Sequence, residues 1–256
     1  MSIINYQLSM IMATLIIAHR GGALLGTENS LSCIERGIQT GAQMVEVDLH
    51  LTADKHIVVC HDQSVDRTTD GKGRIEEMTL EQIQKLHLLT NDGIVSNETI
   101  PTLEQVLDIC QDRCRLLLEI KKKRADQYEG IEQLADSIVK AHHMQDQVIF
   151  QSFNDDVLFK LHALDPSLRL EKLLVFRMGN ILFDNGFTRF NYDKYDFVAS
   201  FNIFRWFASK CFIRDVHAHG KEVKVWTVNK PADNALQRTV DGIITDRPDL
   251  FIHNIE

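Results

Sequence analysis

Glu46 and Asp48 stand two residues apart in MVEVDLHL, where Val45, Val47, Leu49 and Leu51 alternate with polar residues. That alternation predicts a strand, and side chains two apart on a strand share one face, about 7 Å from each other. Two carboxylates so placed repel unless a cation lies between them. LLEIK repeats the pattern with Glu119 and Lys121. Glu46, Asp48 and Glu119 form an oxygen-only donor set of the kind that Mg2+ or Ca2+ prefers, with water and substrate oxygens completing the shell. His19 and His61 titrate near neutral pH and suit acid and base roles. Together with Arg20 and Lys121, these groups fit a phosphate ester. The cation and Arg20 would neutralise the phosphoryl oxygens. One histidine would activate the attacking oxygen and the other protonate the departing alcohol, from opposite sides of phosphorus. The competing reading is a structural ion network of the three acids with Arg20 and Lys121. It is the weaker one, because such networks rarely gather at the strand ends of one barrel mouth.

The elements that must position these residues alternate along the chain. Strands are expected at 15–18, 44–51, 115–121, 148–153, 170–176, 196–201, 222–228 and 241–245. Helices are expected at 31–40, 79–87, 101–112, 127–143, 154–164, 204–219 and 231–238. Eight strands with intervening helices predict an α/β fold, a (β/α)8 TIM barrel. The strand 57–60 returns on 44–51, and a two-residue turn at Asp54-Lys55 would set His61 opposite Asp48. Turn-rich residues 63–99 form a small insertion after the second strand, within a single domain spanning 1–256. His19 and Arg20 follow the first strand, Glu46 and Asp48 end the second, Glu119 and Lys121 end the third, and Gln151 and Ser152 end the fourth. Trp226, a candidate substrate contact, ends the seventh, and Thr245-Asp246 ends the eighth. In such barrels the carboxyl ends of the strands carry the active site. His217-x-His219 belongs to the last turn of a helix, at the opposite end, and is rejected as a metal site, as are His142 and His143.

Composition narrows the classes further. A net charge of −8 over 256 residues argues against a nucleic-acid partner, and Lys121–Arg124 is too short a basic run to change that. Five irregularly spaced cysteines suit reduced thiols in a cytoplasmic protein. Residues 3–18 are mostly apolar, but the first basic residue is Arg20, so the charged start of a signal peptide is missing, and no transmembrane segment is expected. Of 19 aromatic residues, 11 lie between Phe176 and Phe207, including Phe201, Phe204, Trp206 and Phe207. They are read either as helix-to-barrel packing or, less simply, as a wall for an acyl chain at the mouth of the site.

The motifs AHRG (18–21), ENS (28–30), EVDLHLTADKHIVVCHD (46–62), DRTTDGKG (66–73), IPTLEQVL (100–107), LEIK (118–121), SF (152–153), VWTVN (225–229) and TDRPD (245–249) resemble, in order, those of the glycerophosphodiester phosphodiesterase family. The resemblance spans about residues 17–248 and implies the same barrel with an insertion after the second strand. It implies metal ligation by Glu46, Asp48 and Glu119, acid–base catalysis by His19 and His61, and phosphate or substrate contacts from Arg20 and Lys121. The implied reaction is hydrolysis of a small-molecule glycerophosphodiester to glycerol 3-phosphate and an alcohol. Thr27 departs from the family pattern, which usually has proline before Glu-Asn. A lysophospholipase D or another lipid phosphodiesterase on the same barrel is the alternative. A non-enzymatic binding barrel would typically have lost a ligand or a histidine, and this chain keeps them all.

Overall fold

A computed structural model describes residues 14–122, 128–174, 192–231 and 239–252 of the chain. Its strands are β1 (Leu15–Ala18), β2 (Met44–Leu51), β3 (Ile57–Val59), β4 (Arg115–Ile120), β5 (Val148–Ser152), β6 (Leu170–Leu174), β7 (Val198–Phe204), β8 (Glu222–Trp226) and β9 (Gly242–Thr245). All but β3 run parallel, in the order β1-β9-β8-β7-β6-β5-β4-β2, and β1 pairs again with β2 to close an eight-stranded barrel. The (β/α)8 expectation holds. The outer helices include α1 (Leu31–Gln39), α2 (Leu80–Ile83) in the insertion, α3 (Leu103–Cys110), α4 (Ile131–Ala141), α5 (Asp155–Leu164) and α6 (Lys210–Ala218).

Alternation along the strands sorts the core into two parts. Ile16, Ala18, Val45, Val47, Leu116 and Leu118 point outward into the apolar layer between barrel and helices. Ile17, Met44, Leu117, Ile149 and Ile244 point inward and pack as an apolar floor. Each such fully buried Val, Leu, Ile or Met side chain contributes about 1.5–3 kcal/mol relative to exposure. The interior is not wholly apolar. Lys224 and Glu171 are both fully buried as an ion pair, and Asn202 Nδ2 donates to Glu171 Oε2 at 2.8 Å and to Gln151 Oε1 at 2.8 Å. Gly242 leaves room for that lysine, since a Cβ there would stand 3.0 Å from Lys224 Cγ.

β2 is the longest strand among the described residues and outlasts β1, which pairs with it only as far as Val45. Its upper edge, Leu49–Leu51, is covered instead by antiparallel β3. The register of this hairpin differs from the expected one by one residue. Leu49 pairs with Val59, so Asp48 faces Cys60 rather than His61, and Cys60 N donates to Asp48 O at 3.0 Å. The cause is Lys55, whose φ of 66° is left-handed and lengthens the turn by a residue. The insertion that follows packs Val65, Ile75, Ile83 and Leu88 against Val58 and Cys60 of the hairpin.

Other elements differ at their ends. β7 runs to Phe204 rather than stopping at 201, because Phe201 and Ile203 keep alternating with Asn202 and Phe204. The helix expected from 204 therefore starts at Lys210, where Ser209 Oγ accepts a hydrogen bond from Phe212 N at 3.1 Å. The expected 79–87 helix shortens to Leu80–Ile83, with a capping box between Thr79 and Gln82. All but the first residue of the helix expected at 231–238, and residues 176–191 of the aromatic stretch, lie outside the described residues. No helix of the described residues is long and apolar enough to cross a membrane.

Candidate active site

The β2–β4 register places Asp48 beside Glu119, with Glu46 one inward position below. One oxygen from each of these three buried carboxylates lies within 4.8 Å of the others. Glu46 Oε2 accepts from Arg20 N at 3.0 Å, and Asp48 Oδ2 accepts from Asn29 Nδ2 at 2.8 Å. Lys121 Nζ stands 2.9 Å from Asp48 Oδ1 and 2.7 Å from Glu119 Oε1. Burial pushes the Glu46 carboxyl up to about 8, with the Asp48 charge adding to the effect. Burial acts on Asp48 too, but Lys121 and Arg20 outweigh it and hold that carboxyl below the usual range. The donor set suits a hard divalent cation. It is oxygen-only and converging, and Asp48 Oδ1 is a buried acceptor without a well-directed hydrogen bond.

The first strand ends in a tight turn, His19–Gly21, in which Arg20 adopts a left-handed φ of 51°. Here His19 Nδ1 meets Asp246 Oδ1 at 2.6 Å, and Asp246 Oδ2 accepts from Asn229 Nδ2 at 2.7 Å. The opposite nitrogen, Nε2, is thereby turned toward Glu46, 3.9 Å from its Oε2. Burial lowers the affinity of His19 for a proton, yet the Asp246 hydrogen bond and the Glu46 charge prevail and raise it. Arg20 Nη1 donates to Glu28 Oε1 at 3.1 Å, and its Nε lies 3.6 Å from Asp48 Oδ2.

The turn keeps its shape because α1 lies directly on it. A Cβ on Gly37 would fall 2.4 Å from Gly21 O, a clash with backbone rather than with a flexible side chain. Gly37→Ala is therefore expected to lower stability by about 1–3 kcal/mol and to reduce turnover by displacing His19. Thermal unfolding and initial rates on the same preparation would check this, and a melting point unchanged from wild type would contradict it.

His61 sits just past β3, where the chain has left the sheet ladder, so its direction is not set by strand alternation. Its Nδ1 meets Asp62 Oδ1 at 2.7 Å. Arg67 Nε donates to Asp62 Oδ2 at 2.5 Å, and its other nitrogens donate to Glu28 at 2.7 and 3.0 Å. An ionic chain thus runs from His61 through Asp62, Arg67 and Glu28 to Arg20. Burial and then the Lys121 charge lower the His61 proton affinity, opposite to the shift at His19. Environments that push two titratable groups apart suit an acid–base pair.

Both imidazoles line one cavity of about 250 Å3, together with Arg20, Glu46, Lys121 and Trp226. All eight residues singled out in the sequence therefore meet at or beside one cavity. Trp226 Nε1 donates to Asn202 O at 3.1 Å, and its ring meets Phe153 edge-on at 5.8 Å. The aromatic stretch divides. Phe201 is buried on the helix side against Tyr192 and Tyr195. Phe204 packs on Trp226 at 5.1 Å, and Trp206 is exposed beside Arg205. His217 bonds Asp241 from the last turn of α6, as a structural residue would.

Asp62 and Asp246 have no expected role from the sequence alone, although both lie in matched motifs and each is the neighbour of a site imidazole. Asn29, Glu28 and Arg67 likewise lie in matched motifs without an expected place in the site. Gln151 was visible only as a polar strand end, and its Nε2 approaches Glu46 Oε1 at 3.4 Å.

Comparison with known proteins shows the family of the chain. The model of the glycerophosphoryl diester phosphodiesterase family matches residues 19–250. A glycerophosphodiester phosphodiesterase of Caldanaerobacter subterraneus is 34% identical over 247 residues, covering 94% of this chain and 98% of that one. An Oleispira antarctica phosphodiesterase, solved in complex with the product sn-glycerol-3-phosphate, superposes with a TM-score of 0.77 at 26% identity, over 93% of this chain and 94% of that one. A glycerophosphodiester phosphodiesterase from Agrobacterium tumefaciens shares the fold, with a TM-score of 0.76 at 22% identity over 93% and 99% of the two chains.

Proposed function

Since the chain belongs to the glycerophosphoryl diester phosphodiesterase family and is an enzyme of that class, we propose that it hydrolyses soluble glycerophosphodiesters to sn-glycerol 3-phosphate and an alcohol, at the site formed by His19, His61 and the three carboxylates. The observation that carries this reading is the convergence of Glu46, Asp48 and Glu119 beside a cavity lined by both imidazoles. These carboxylates would hold a divalent cation, Mg2+ or Ca2+. Once bound, it supplies positive charge against the phosphoryl oxygens. Arg20 and Lys121 add fixed positive charge at the same place and orient the phosphate. His19, aimed by Asp246, and His61, aimed by Asp62, carry the proton transfers. Trp226 walls the substrate in. Four buried thiols and an exposed Cys211, none in a disulfide, support a reducing, cytoplasmic setting.

A second reading, cleavage of lysophospholipids, draws support from the Phe153–Trp226–Phe204 cluster beside the cavity. One assay separates the two. Release of glycerol 3-phosphate would be followed with glycerophosphocholine, glycerophosphoethanolamine and glycerophosphoglycerol, and choline release with lysophosphatidylcholine. Each would be run with chelator and with Mg2+ or Ca2+ restored. Turnover of the soluble diesters, lost on chelation and regained on adding cation, is expected. Exclusive turnover of the lysolipid would replace the first reading with the second, and activity indifferent to chelator would remove the cation from the proposal.

A further inference from the structure

A third imidazole occupies the same face of β2 and has no place in the proton transfers described above. His50 lies two residues beyond Asp48 and is fully buried. Its Nε2 is 3.3 Å from the carbonyl oxygen of His61, and its Nδ1 is 2.7 Å from Tyr128 Oη. A carbonyl oxygen only accepts, so Nε2 carries the proton. With the ring neutral, Nδ1 accepts and the Tyr128 hydroxyl donates. The two rings meet edge-on at 5.7 Å, and Tyr128 is itself buried.

We propose that His50, locked by Tyr128, is a positioning residue that fixes the peptide of His61 and so aims its imidazole. The need for such a support follows from the hairpin. Ladder pairing ends at Val59, and Cys60 is tied to Asp48 O, so His61 begins the departure from the sheet. Asp62 fixes the rotation of the His61 ring through Nδ1. His50 fixes the main chain from which that ring hangs. Because Asp48 and His50 alternate on one inward face, a single strand both supplies a candidate metal ligand and sets the position of the candidate acid or base. A displacement near 1 Å at such a group costs about 100-fold in rate.

This inference rests on His61 acting in the proposed reaction, and the experiment separates the two. Full-length wild type, His61→Ala, His50→Ala, His50→Gln and Tyr128→Phe would be compared by kcat and KM on a glycerophosphodiester with the cation supplied. Glutamine keeps an N–H donor near the place of Nε2, so it should restore much of what alanine loses. For His50→Ala we expect kcat to fall about 10- to 100-fold, with KM nearly unchanged. Tyr128→Phe should fall in the same direction by less, and it carries the test alone if His50→Ala fails to fold. Full kcat in His50→Ala overturns the positioning role. A raised KM at unchanged kcat overturns it in favour of direct substrate contact, and a glutamine variant no better than alanine overturns the carbonyl contact. An active His61→Ala would instead overturn the proposed role of His61 itself.

Discussion

Replacing either His19 or His61 with alanine is expected to lower turnover by about 100- to 10,000-fold through lost proton transfer, while the protein remains folded. Neither side chain belongs to an apolar core cluster. Both retain some solvent exposure, 16% for His19 and 33% for His61. Their removal leaves Asp246 bonded to Asn229 and Asp62 bonded to Arg67, so no buried charge is stranded. Circular dichroism should therefore give near-native spectra and unfolding midpoints. The double variant should lose no more than the product of the single losses, because the two groups serve one reaction. A rate near wild type in either single variant would remove that residue from the chemistry.

The second large effect concerns the carboxylates. Asp48→Asn, which preserves shape and removes charge, is expected to lower kcat/KM by about 100-fold or more, corresponding to loss of several kcal/mol of charge stabilisation. Asp48 is the most heavily invested of the three, since Lys121, Arg20 and Asn29 all converge on it. Glu46→Gln and Glu119→Gln should act in the same direction. All three should raise the cation concentration needed for half-maximal activity, which a titration with Mg2+ or Ca2+ would measure. If the acids served only as a structural network with Lys121 and Arg20, the variants would lose stability while activity per folded molecule stayed insensitive to cation.

Local alternation made much of this legible. Period-two patterning in MVEVDLHL and LLEIK puts Glu46 with Asp48, and Glu119 with Lys121, on common faces without knowledge of the fold. The adjacency of Asp48 and Glu119 depends instead on the register between two parallel strands distant in sequence, which alternation alone does not set. The hairpin slip was hidden for a similar reason. A left-handed lysine at position 55 has no signature in composition, since that conformation usually falls to glycine or asparagine. β7 outran its expected end because aromatic residues such as Phe204 serve in strands and helices alike. The supporting groups were least visible. Asp246 meets His19 across 227 positions, and Tyr128 meets His50 across 78, contacts that exist only once the barrel closes.

Glu46, Asp48 and Glu119 are proposed to hold one divalent ion in the working enzyme. Anomalous diffraction from crystals of the active protein grown with Mn2+ or Ca2+ would locate that ion. A single strong peak is expected among the oxygens of those three residues, with Lys121 drawn away from at least one of its carboxylate partners. Catalytically active crystals with no peak there, and with Lys121 still bridging Asp48 and Glu119, would contradict it.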